Sequence, residues 1–385
     1  MAAIAGLGLT EVGKVYGRTS FELAAEAVAL AAGDAGLALA DVDGLLINPA
    51  FSQPALDLTL ARRLGLRDLR VLSSLTAYGA SAGVMVAQAA QAVDGGAADV
   101  VACVFADTPR SGTSSGAEAY QAFSLQARGV RSAETAAGLT STTHRYALAA
   151  DRYMSTYGVT HDELGAVAVS QRRWAEMNPV AAMRTPLSLE EYHASRWVVE
   201  PLHLLDCCLV SNGGAAVIVT SAERARDLRQ PPVHVRGWGQ AHPAPPLRAG
   251  GSFGLTTGAK ASGRAALAMA GLGLDDVQLR EIYDCYTYTV LVTLEDYGFC
   301  GPGEAGALAA SGALGPGGAL PTNTGGGQLS SFYLWGMTPL HEAVIQVRGQ
   351  AGERQVGAHD TAMVSGNGGI LEHHSTLVLT SETAA

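Results

Sequence analysis

The chain has 385 residues, 48% of them hydrophobic and 16% charged, which suffices for a large buried core spread over two lobes or one very large domain. A formal net charge of -10 speaks against nucleic acid as a partner. Mean hydropathy is slightly positive, yet no apolar run reaches transmembrane length, and the opening MAAIAGLGLTEVG lacks the basic leader and apolar core of a signal peptide. The cysteines Cys103, Cys207, Cys208, Cys285 and Cys300 show no metal-ligand spacing. Their odd number without a secretion signal points to a reducing cytoplasm. Lys14 and Lys260 are the only lysines, so Schiff-base chemistry has two candidates.

In chain order, residues 2–9 read as a strand. Phe21–Ala35 is an amphipathic helix with Ser20 as N-cap and Gly36 beyond its end. Asp41–Pro49 and Arg70–Leu75 read as strands flanking a helix at Asp57–Leu64. Thr76–Val93 crowds small residues into its first turns and continues as an Ala-rich helix with few polar positions to face water, hence buried on most sides. Asp99–Phe105 is a continuous apolar strand, as expected of a strand covered on both faces. This β-α-β-α-β order predicts an α/β fold.

The Ser/Gly-rich stretch from Pro109 to Tyr120 reads as a loop, and Thr140–Tyr157 and His161–Asn178 as helices of an inserted region spanning about residues 109–200. Strand character returns at Pro201–Val210 and Ala215–Thr220, around Ser211-Asn212-Gly213-Gly214, and again at Val233–Trp238. A helix at Gly258–Ala270, a strand at Leu279–Tyr283 and a helix at Asp284–Tyr297 follow. Gly325–Val347 passes from a glycine loop into a helix; Thr361–Ser365 is a strand, Gly366–Gly369 a loop, and Ser375–Thr380 a last strand. The second half thus repeats the order of the first, a pattern that suggests internal duplication.

One stretch stands apart, PTNTGGGQLSSFYLWGMTP at Pro321–Pro339. Three consecutive glycines between polar residues make either a plain flexible loop or a loop shaped for close approach. Elsewhere, Glu372-His373-His374 could suggest a metal, but adjacent histidines on a strand point to opposite faces. Cys207-Cys208 reads as structural, Tyr286, Tyr288 and Tyr297 as helix packing, and Arg172-Arg173 as a solvated helix face rather than a phosphate clamp.

The DCC…SNGGAA run within Pro201–Ala216, the helical stretch Arg152–Pro179, and the turn Gly349–Val356 together resemble the thiolase superfamily from end to end. Within it they resemble the sterol-carrier-protein-X type thiolases. The resemblance implies a duplicated five-layer αβαβα thiolase fold, with an N-terminal half at residues 1–225 that carries the insertion, and a C-terminal half at residues 226–385.

The catalytic positions depart from that pattern. The family's nucleophilic Cys, at the N-terminus of the buried helix where the dipole lowers a thiolate pKa, aligns with Thr76 in TAYGASA. Thr76 has no thiolate-like population at neutral pH, and its plain reading is a helix N-terminal residue. The family's H-D-C-F motif matches Tyr283-Asp284-Cys285-Tyr286. Its N-x-x-G-G and G-H-P motifs match Asn323–Gly327 and Phe332-Tyr333-Leu334, so that Tyr333 stands for the catalytic His. Its C-x-G-G-G matches Ser365-Gly366-Asn367-Gly368-Gly369, and the second Cys is absent too. The upstream His of the carrier-type enzymes matches His359.

Two tyrosines in catalytic-motif positions resemble the thiolase-like aldolases of bacterial steroid side-chain breakdown. Those enzymes cleave a β-hydroxyacyl-CoA by a retro-aldol reaction, and the resemblance implies a 17-hydroxy steroid C22-CoA giving a 17-ketosteroid and propionyl-CoA. Such a cleavage needs a base for the hydroxyl proton, an electron sink and an acid for the enolate. The thioester supplies the sink, an oxyanion hole stabilises it, and no nucleophile is needed. Tyr283 and Tyr333 are assigned as the acid–base pair; the residues leave open which takes the hydroxyl proton, with Tyr283 favoured as base and Tyr333 as proton donor, and a phenol with its ordinary pKa of about 10 must be tuned to act as base. His359 is assigned as a helper at the thioester, with a satisfied core histidine as its plain alternative. Asn367 and Gly368, beside Ser365, are oxyanion or backbone contacts; Asp284 and Asn323 orient the tyrosines or cap turns.

No cofactor is expected beyond the CoA of the substrate, and no metal. The resemblance further implies a homodimer and a separate small OB-fold partner, linked to a hydratase. The alternatives are an acetyl-CoA acetyltransferase or thiolase with another nucleophile, and a non-catalytic thiolase-like subunit of a complex.

Overall fold

The computed structural model describes residues 1–50, 56–110, 130–243 and 252–384. Most of the predicted loop between Pro109 and Tyr120 therefore lies outside the described residues. The strands are β1 (Ala2–Leu9), β2 (Gly44–Asn48), β3 (Val71–Ser74), β4 (Val100–Asp107), β5 (Trp197–Val199), β6 (Leu202–His203), β7 (Gly213–Ser221), β8 (Val233–Ala241), β9 (Leu279–Glu281), β10 (Thr361–Gly368) and β11 (His373–Thr380). The helices are α1 (Ser20–Ala35), α2 (Leu56–Leu64), α3 (Ser81–Asp94), α4 (Val130–Ala136), α5 (Thr142–Tyr157), α6 (His161–Glu176), α7 (Leu189–Ala194), α8 (Ala222–Arg226), α9 (Ala259–Ala270), α10 (Thr287–Tyr297), α11 (Ala305–Ala310) and α12 (Met337–Val347). Among the described residues, no helix is long and apolar enough to cross a membrane.

Nine strands form one sheet in the order β3-β2-β4-β7-β1-β8-β11-β10-β9. Read inward from each edge, the halves match. β2 and β4 are parallel, as are β9 and β10. β4 and β7 are antiparallel, as are β10 and β11; so are β7 and β1, and β11 and β8. Even the outermost pair has its counterpart: β2 pairs β3 in parallel, and Arg280 makes a parallel bridge to Thr322. The halves join where β1 meets β8.

Matching glycines let one helix lie close on each inner strand. A Cβ on Gly6 or Gly8 of β1 would sit 2.1 or 2.2 Å from the Ala31 or Ala27 carbonyl oxygen of α1. On Gly237 or Gly239 of β8 it would sit 2.0 Å from the Ala266 or Ser262 oxygen of α9. On the opposite face, α3 and α12 touch strands of both halves and each other. Their small and aliphatic side chains, Ala82, Met85, Val86, Leu340, Ala343 and Val344, share one buried core with Cys103, Phe105, Val217, Val364 and Leu377.

Three local differences from the sequence reading have physical causes. The N-cap of α1 is Thr19 rather than Ser20. The Glu22 N–H donates to Thr19 Oγ1 at 3.2 Å while the Thr19 N–H donates to Glu22 Oε2 at 2.9 Å, a reciprocal capping box. α10 begins at Thr287 rather than Asp284, because the Asp284 side chain is engaged elsewhere. Gly366–Gly368 continue β10 instead of forming a loop; composition signals a turn, but these glycines make room for a neighbouring backbone.

Candidate active site

Tyr283 and Tyr333 meet with their hydroxyl oxygens 3.0 Å apart. Tyr283 is buried, 4% exposed, and Tyr333 is half-buried. Tyr283 lies just past the end of β9, and Tyr333 four residues before α12. Both positions follow from how the chain is laced around them.

Gly79 and the Asn367 backbone close on the Tyr283 ring, and two further glycines bring the adjoining turns together. A Cβ on Gly79 would fall 2.2 Å from Tyr283 Cζ and 2.2 Å from the Asn367 carbonyl oxygen, so only glycine admits the ring beside β10. A Cβ on Gly368 would fall 2.4 Å from the Ala77 oxygen, and one on Gly336 would fall 2.4 Å from the Gly79 oxygen. The turns that lead into α3 and α12 therefore abut back to back at the site. Tyr78 and Trp335 precede those two glycines, each with φ of +49°. This left-handed backbone is costly for bulky residues and persists only where surroundings enforce it. The Ala77 N–H donates to Ser81 Oγ at 2.8 Å, and the Leu334 N–H to Thr338 Oγ1 at 2.9 Å. The same bond thus stabilises both turns.

The glycine run is a shaped loop. The Asn323 N–H donates to the Arg280 carbonyl at 2.9 Å, and Asn323 Oδ1 accepts from the Ile282 N–H at 2.6 Å. The Thr324 N–H donates to Glu281 Oε1 at 3.0 Å. Side chains thus extend the pairing that backbone atoms begin at Arg280 and Thr322. Asp284 comes next along the chain and accepts from the N–H groups of Gln328 and Leu329. Its carboxylate fills the space where a Cβ on Gly327 would stand, 2.1 Å from Asp284 Oδ2; Gly327 also has φ of +59°. The segment from Gly327 to Ser331 then turns with π-helical spacing, which recurs at functional sites.

The inserted region and the segment before β7 lace this loop from outside. Asn178 Nδ2 donates to the Gly325 carbonyl at 2.8 Å, and the N–H groups of Ala182 and Met183 donate to the carbonyls of Ser331 and Ser330. The Cys208 N–H donates to the Cys285 carbonyl, and the Leu209 N–H to the Gln328 carbonyl. The Tyr333 N–H donates to Ser211 Oγ at 3.0 Å. One short segment, Cys208–Ser211, therefore holds both tyrosine-bearing stretches.

The electrostatics follow from burial. Loss of solvent pushes the Asp284 carboxyl up to about 7, against the pull of the N–H groups of Gln328 and Leu329. Glu281 is raised by burial and by neighbouring Glu342. Asp107, at the end of β4, is pushed up to about 6 by burial. Burial also pushes all five thiols up: Cys285 and Cys300 to about 12, and Cys103, Cys207 and Cys208 further. A nucleophilic thiolate needs the opposite environment.

Of the remaining sequence candidates, Asn323 and Asp284 lie beside the tyrosine-bearing stretches and accept from backbone N–H groups of Ile282, Gln328 and Leu329. Gly368 packs against the turn that leads into α3. Thr76 is exposed at the start of that turn, one residue before Ala77. Ser365 is fully buried on the other face of β10, where its Oγ lies 3.2 Å from His374 Nε2. Burial pushes the His374 imidazole down to about 3. Asn367 is 1% exposed, and neither its Oδ1 nor its Nδ2 has a partner among the described residues.

His359 does not join them. It sits on a turn before β10, with Nδ1 3.1 Å from the Gly357 carbonyl. The tyrosines lie beside Asn367 at the other end of β10; Thr361 to Asn367 alone spans about 20 Å at ~3.3 Å per residue. The structure therefore does not bring His359 to the tyrosine pair. His373 and His374 do face opposite ways: His374 bonds Ser262 and Ser365, whereas His373 stacks on Tyr78 with ring centroids 6.0 Å apart. The sequence reading missed Gly79, Gly336, Ser211 and Gln328. A usable signal existed for the first two, because an aromatic-Gly-x-Ser/Thr tetrad occurs at Tyr78–Ser81 and again at Trp335–Thr338.

Comparison with known proteins finds relatives along almost the whole chain. The thiolase C-terminal domain-like family matches residues 239–381. A steroid side-chain-cleaving aldolase of Thermomonospora curvata is 40% identical, over 95% of this chain and 95% of the relative. The 17-hydroxy-3-oxo-4-pregnene-20-carboxyl-CoA lyase of Mycobacterium tuberculosis is 38% identical, over 95% of this chain and 96% of its own. The solved structure of an Ltp2-ChsH2(DUF35) aldolase superposes with a TM-score of 0.89 at 39% identity, covering 99% of this chain and 98% of that one. With identities of this size along almost the whole length, and a paired-strand duplication to match, the chain belongs to the thiolase superfamily, in its branch of thiolase-like steroid side-chain-cleaving aldolases.

Proposed function

We propose that this enzyme, a carbon–carbon lyase acting on a CoA thioester, cleaves the side chain of a 17-hydroxy steroid C22-CoA into a 17-ketosteroid and propionyl-CoA. The observation that carries this reading is the 3.0 Å contact between the Tyr283 and Tyr333 hydroxyls in a site without an activated thiol. Two phenols that share a hydrogen bond can take and give one proton, which is what a retro-aldol cleavage needs.

The steps balance without a nucleophile or a resident cofactor. Tyr283, as phenolate, accepts the proton of the β-hydroxyl. The oxygen lone pair forms the ketone, and the bond between Cα and Cβ breaks. Its electron pair moves through Cα onto the thioester oxygen as an enolate. Tyr333 then protonates Cα, giving the shortened acyl-CoA. The proton gained by Tyr283 crosses the 3.0 Å hydrogen bond to Tyr333 and restores the starting state. Gly368 and the glycine backbone nearby are the polar groups available to the enolate oxygen, where preorganised donors contribute most; the Asn367 side chain shares the Ser365 face of β10.

The assembly we infer has two parts. Among the described residues β3 forms a bare sheet edge, whereas at the far edge the Arg280–Thr322 bridge covers β9. An uncovered edge strand favours pairing, which supports a homodimer through β3. The solved relative contains ChsH2(DUF35) beside Ltp2, which supports a separate partner protein here, and we take that partner to be the small OB-fold protein expected from the sequence.

The test is to incubate the purified protein, alone and with such a partner, with the β-hydroxyacyl-CoA of a C22 steroid. Appearance of the 17-ketosteroid and propionyl-CoA in equal amounts is expected. Their absence with the partner present would favour a non-catalytic thiolase-like subunit. CoA-dependent thiolysis of a β-ketoacyl-CoA would instead favour an acetyltransferase.

A further inference from the structure

Tyr283 and Tyr333 belong to different segments, and a single hydrogen bond between phenols does not fix the separation of two backbones. Something else must hold Tyr333 at the distance Tyr283 requires. Gln328 is attached on both sides of that problem. Its backbone N–H donates to both carboxylate oxygens of Asp284, at 3.0 and 2.8 Å, and Asp284 directly follows Tyr283. Its side-chain Nε2 donates to the Trp335 carbonyl at 2.7 Å, two residues beyond Tyr333. The chain from Gln328 to Trp335 is therefore closed into a loop with Tyr333 near its apex, and the base of that loop is bolted to the residue beside Tyr283.

The chemistry of Gln328 fits this role better than that of a filler. The side chain is fully buried, and its Oε1 has no hydrogen-bond partner among the described residues. Burying an amide with one unpaired end costs free energy that an apolar residue of the same shape avoids. The compensating feature is the Nε2 bond to Trp335, whose backbone is in the left-handed region with φ of +49° and whose ring stacks on Phe105 with centroids 5.1 Å apart.

We propose that Gln328 is a positioning residue, whose bonds to Asp284 and the Trp335 carbonyl set the separation of the Tyr283 and Tyr333 hydroxyls. The proposal rests on the reading of those phenols as the acid–base pair, and its test separates the two. Gln328→Met keeps length and volume but cannot reach the Trp335 carbonyl with a donor. In the assembly that supports wild-type turnover, kcat falls about 10- to 100-fold, the order expected when a reacting group moves by roughly 1 Å. KM stays within about twofold, because ground-state binding does not use this bond. The second readout needs no substrate: ultraviolet difference titration of the phenols shifts between wild type and Gln328→Met, and the shift vanishes when both carry Tyr333→Phe.

An unchanged kcat, or a titration shift that persists without Tyr333, overturns the positioning role. If Gln328→Met does not fold, Gln328→Asn decides in its place: it keeps the amide but is one methylene too short, and the same shift is expected. Full activity in Tyr333→Phe would instead remove the acid–base reading and leave the titration result standing.

Discussion

Gly79→Ala tests the site through sterics alone, because it adds one methyl group and changes no charge. The new Cβ would stand 2.2 Å from Tyr283 Cζ, 2.3 Å from Cε2 and 2.2 Å from the Asn367 carbonyl oxygen. Carbon atoms in contact settle at about 3.5–4.0 Å, so the ring must retreat by at least ~1 Å. Retreat toward β10 is blocked by the same Asn367 backbone. The hydroxyl contact with Tyr333, now 3.0 Å, would open to roughly 4 Å, past the range of a hydrogen bond. Overpacking of this kind costs about 1–3 kcal/mol of stability, and misplacing the acid–base pair costs about 10²-fold in kcat. The assay is steady-state cleavage of the steroid β-hydroxyacyl-CoA well below the melting transition, with the transition followed in parallel by calorimetry. A variant that keeps kcat within about threefold of wild type would refute the claim that this contact places Tyr283, since ~0.7 kcal/mol is too little for a displaced reacting group.

Tyr333→Phe removes one hydroxyl while keeping the ring, and kcat should fall about 10²- to 10⁴-fold, the usual worth of a positioned acid or base, with little change in melting temperature. Asp34→Ala should cost about 3–5 kcal/mol in denaturant unfolding, because it leaves a buried cation unpaired: Arg348, which directly follows α12, donates to Asp34 of α1 at 2.9 Å and is only 1% exposed in its side chain. Asp107 carries a pH signature. Burial raises its carboxyl from 3.8 to about 6, so between those values the unfolded chain releases a proton that the folded chain keeps. Stability therefore falls as pH rises through this window, by up to ~3 kcal/mol, and Asp107→Asn should abolish that increment. Equal slopes for wild type and variant between pH 4 and 6 would contradict the assignment.

Much of this site is legible in the sequence because motif spacing survives where residue identity does not. Tyr283 and Tyr333 stand out by their registers against neighbouring Asp and Gly residues, and they do meet. His359 stands out by the same register, yet it lies on the turn before β10, away from the tyrosine pair. An isolated His after Gly-Ala has no local pattern that ties it to a strand end, and one strand length separates the two ends of β10. Gly366–Gly368 reads as a loop because three of four residues at 366–369 are Gly. The same composition also serves a strand that must let another backbone approach, and sequence cannot distinguish the two uses. Asp284 reads as the start of a helix because its carboxylate could cap one. Its actual acceptor role toward the N–H groups of Gln328 and Leu329 depends on residues more than forty positions away, which no local pattern reports.

The duplication explains why a phenol stands at Tyr333. Aligned on their left-handed aromatic residues, Thr76-Ala77-Tyr78-Gly79-Ala80-Ser81 and Tyr333-Leu334-Trp335-Gly336-Met337-Thr338 share the same backbone twist, the same hydroxyl bond and the same contact glycine. Thr76 and Tyr333 are therefore the same position in the two halves. Each is aimed by an aromatic residue in a conformation that costs of order 1–3 kcal/mol, and each half retains that strain. In the thiolase pattern the first of these positions carries the nucleophile. Here it carries an exposed hydroxyl, and the second position carries the group that meets Tyr283. The backbone that aims the nucleophile in the thiolase pattern has its counterpart here in the turn that carries Tyr333 to its contact with Tyr283. A lyase can thus arise on this scaffold by changing side chains at two equivalent helix N-termini, with the turns that lead into α3 and α12, and the glycine contact between them, left intact.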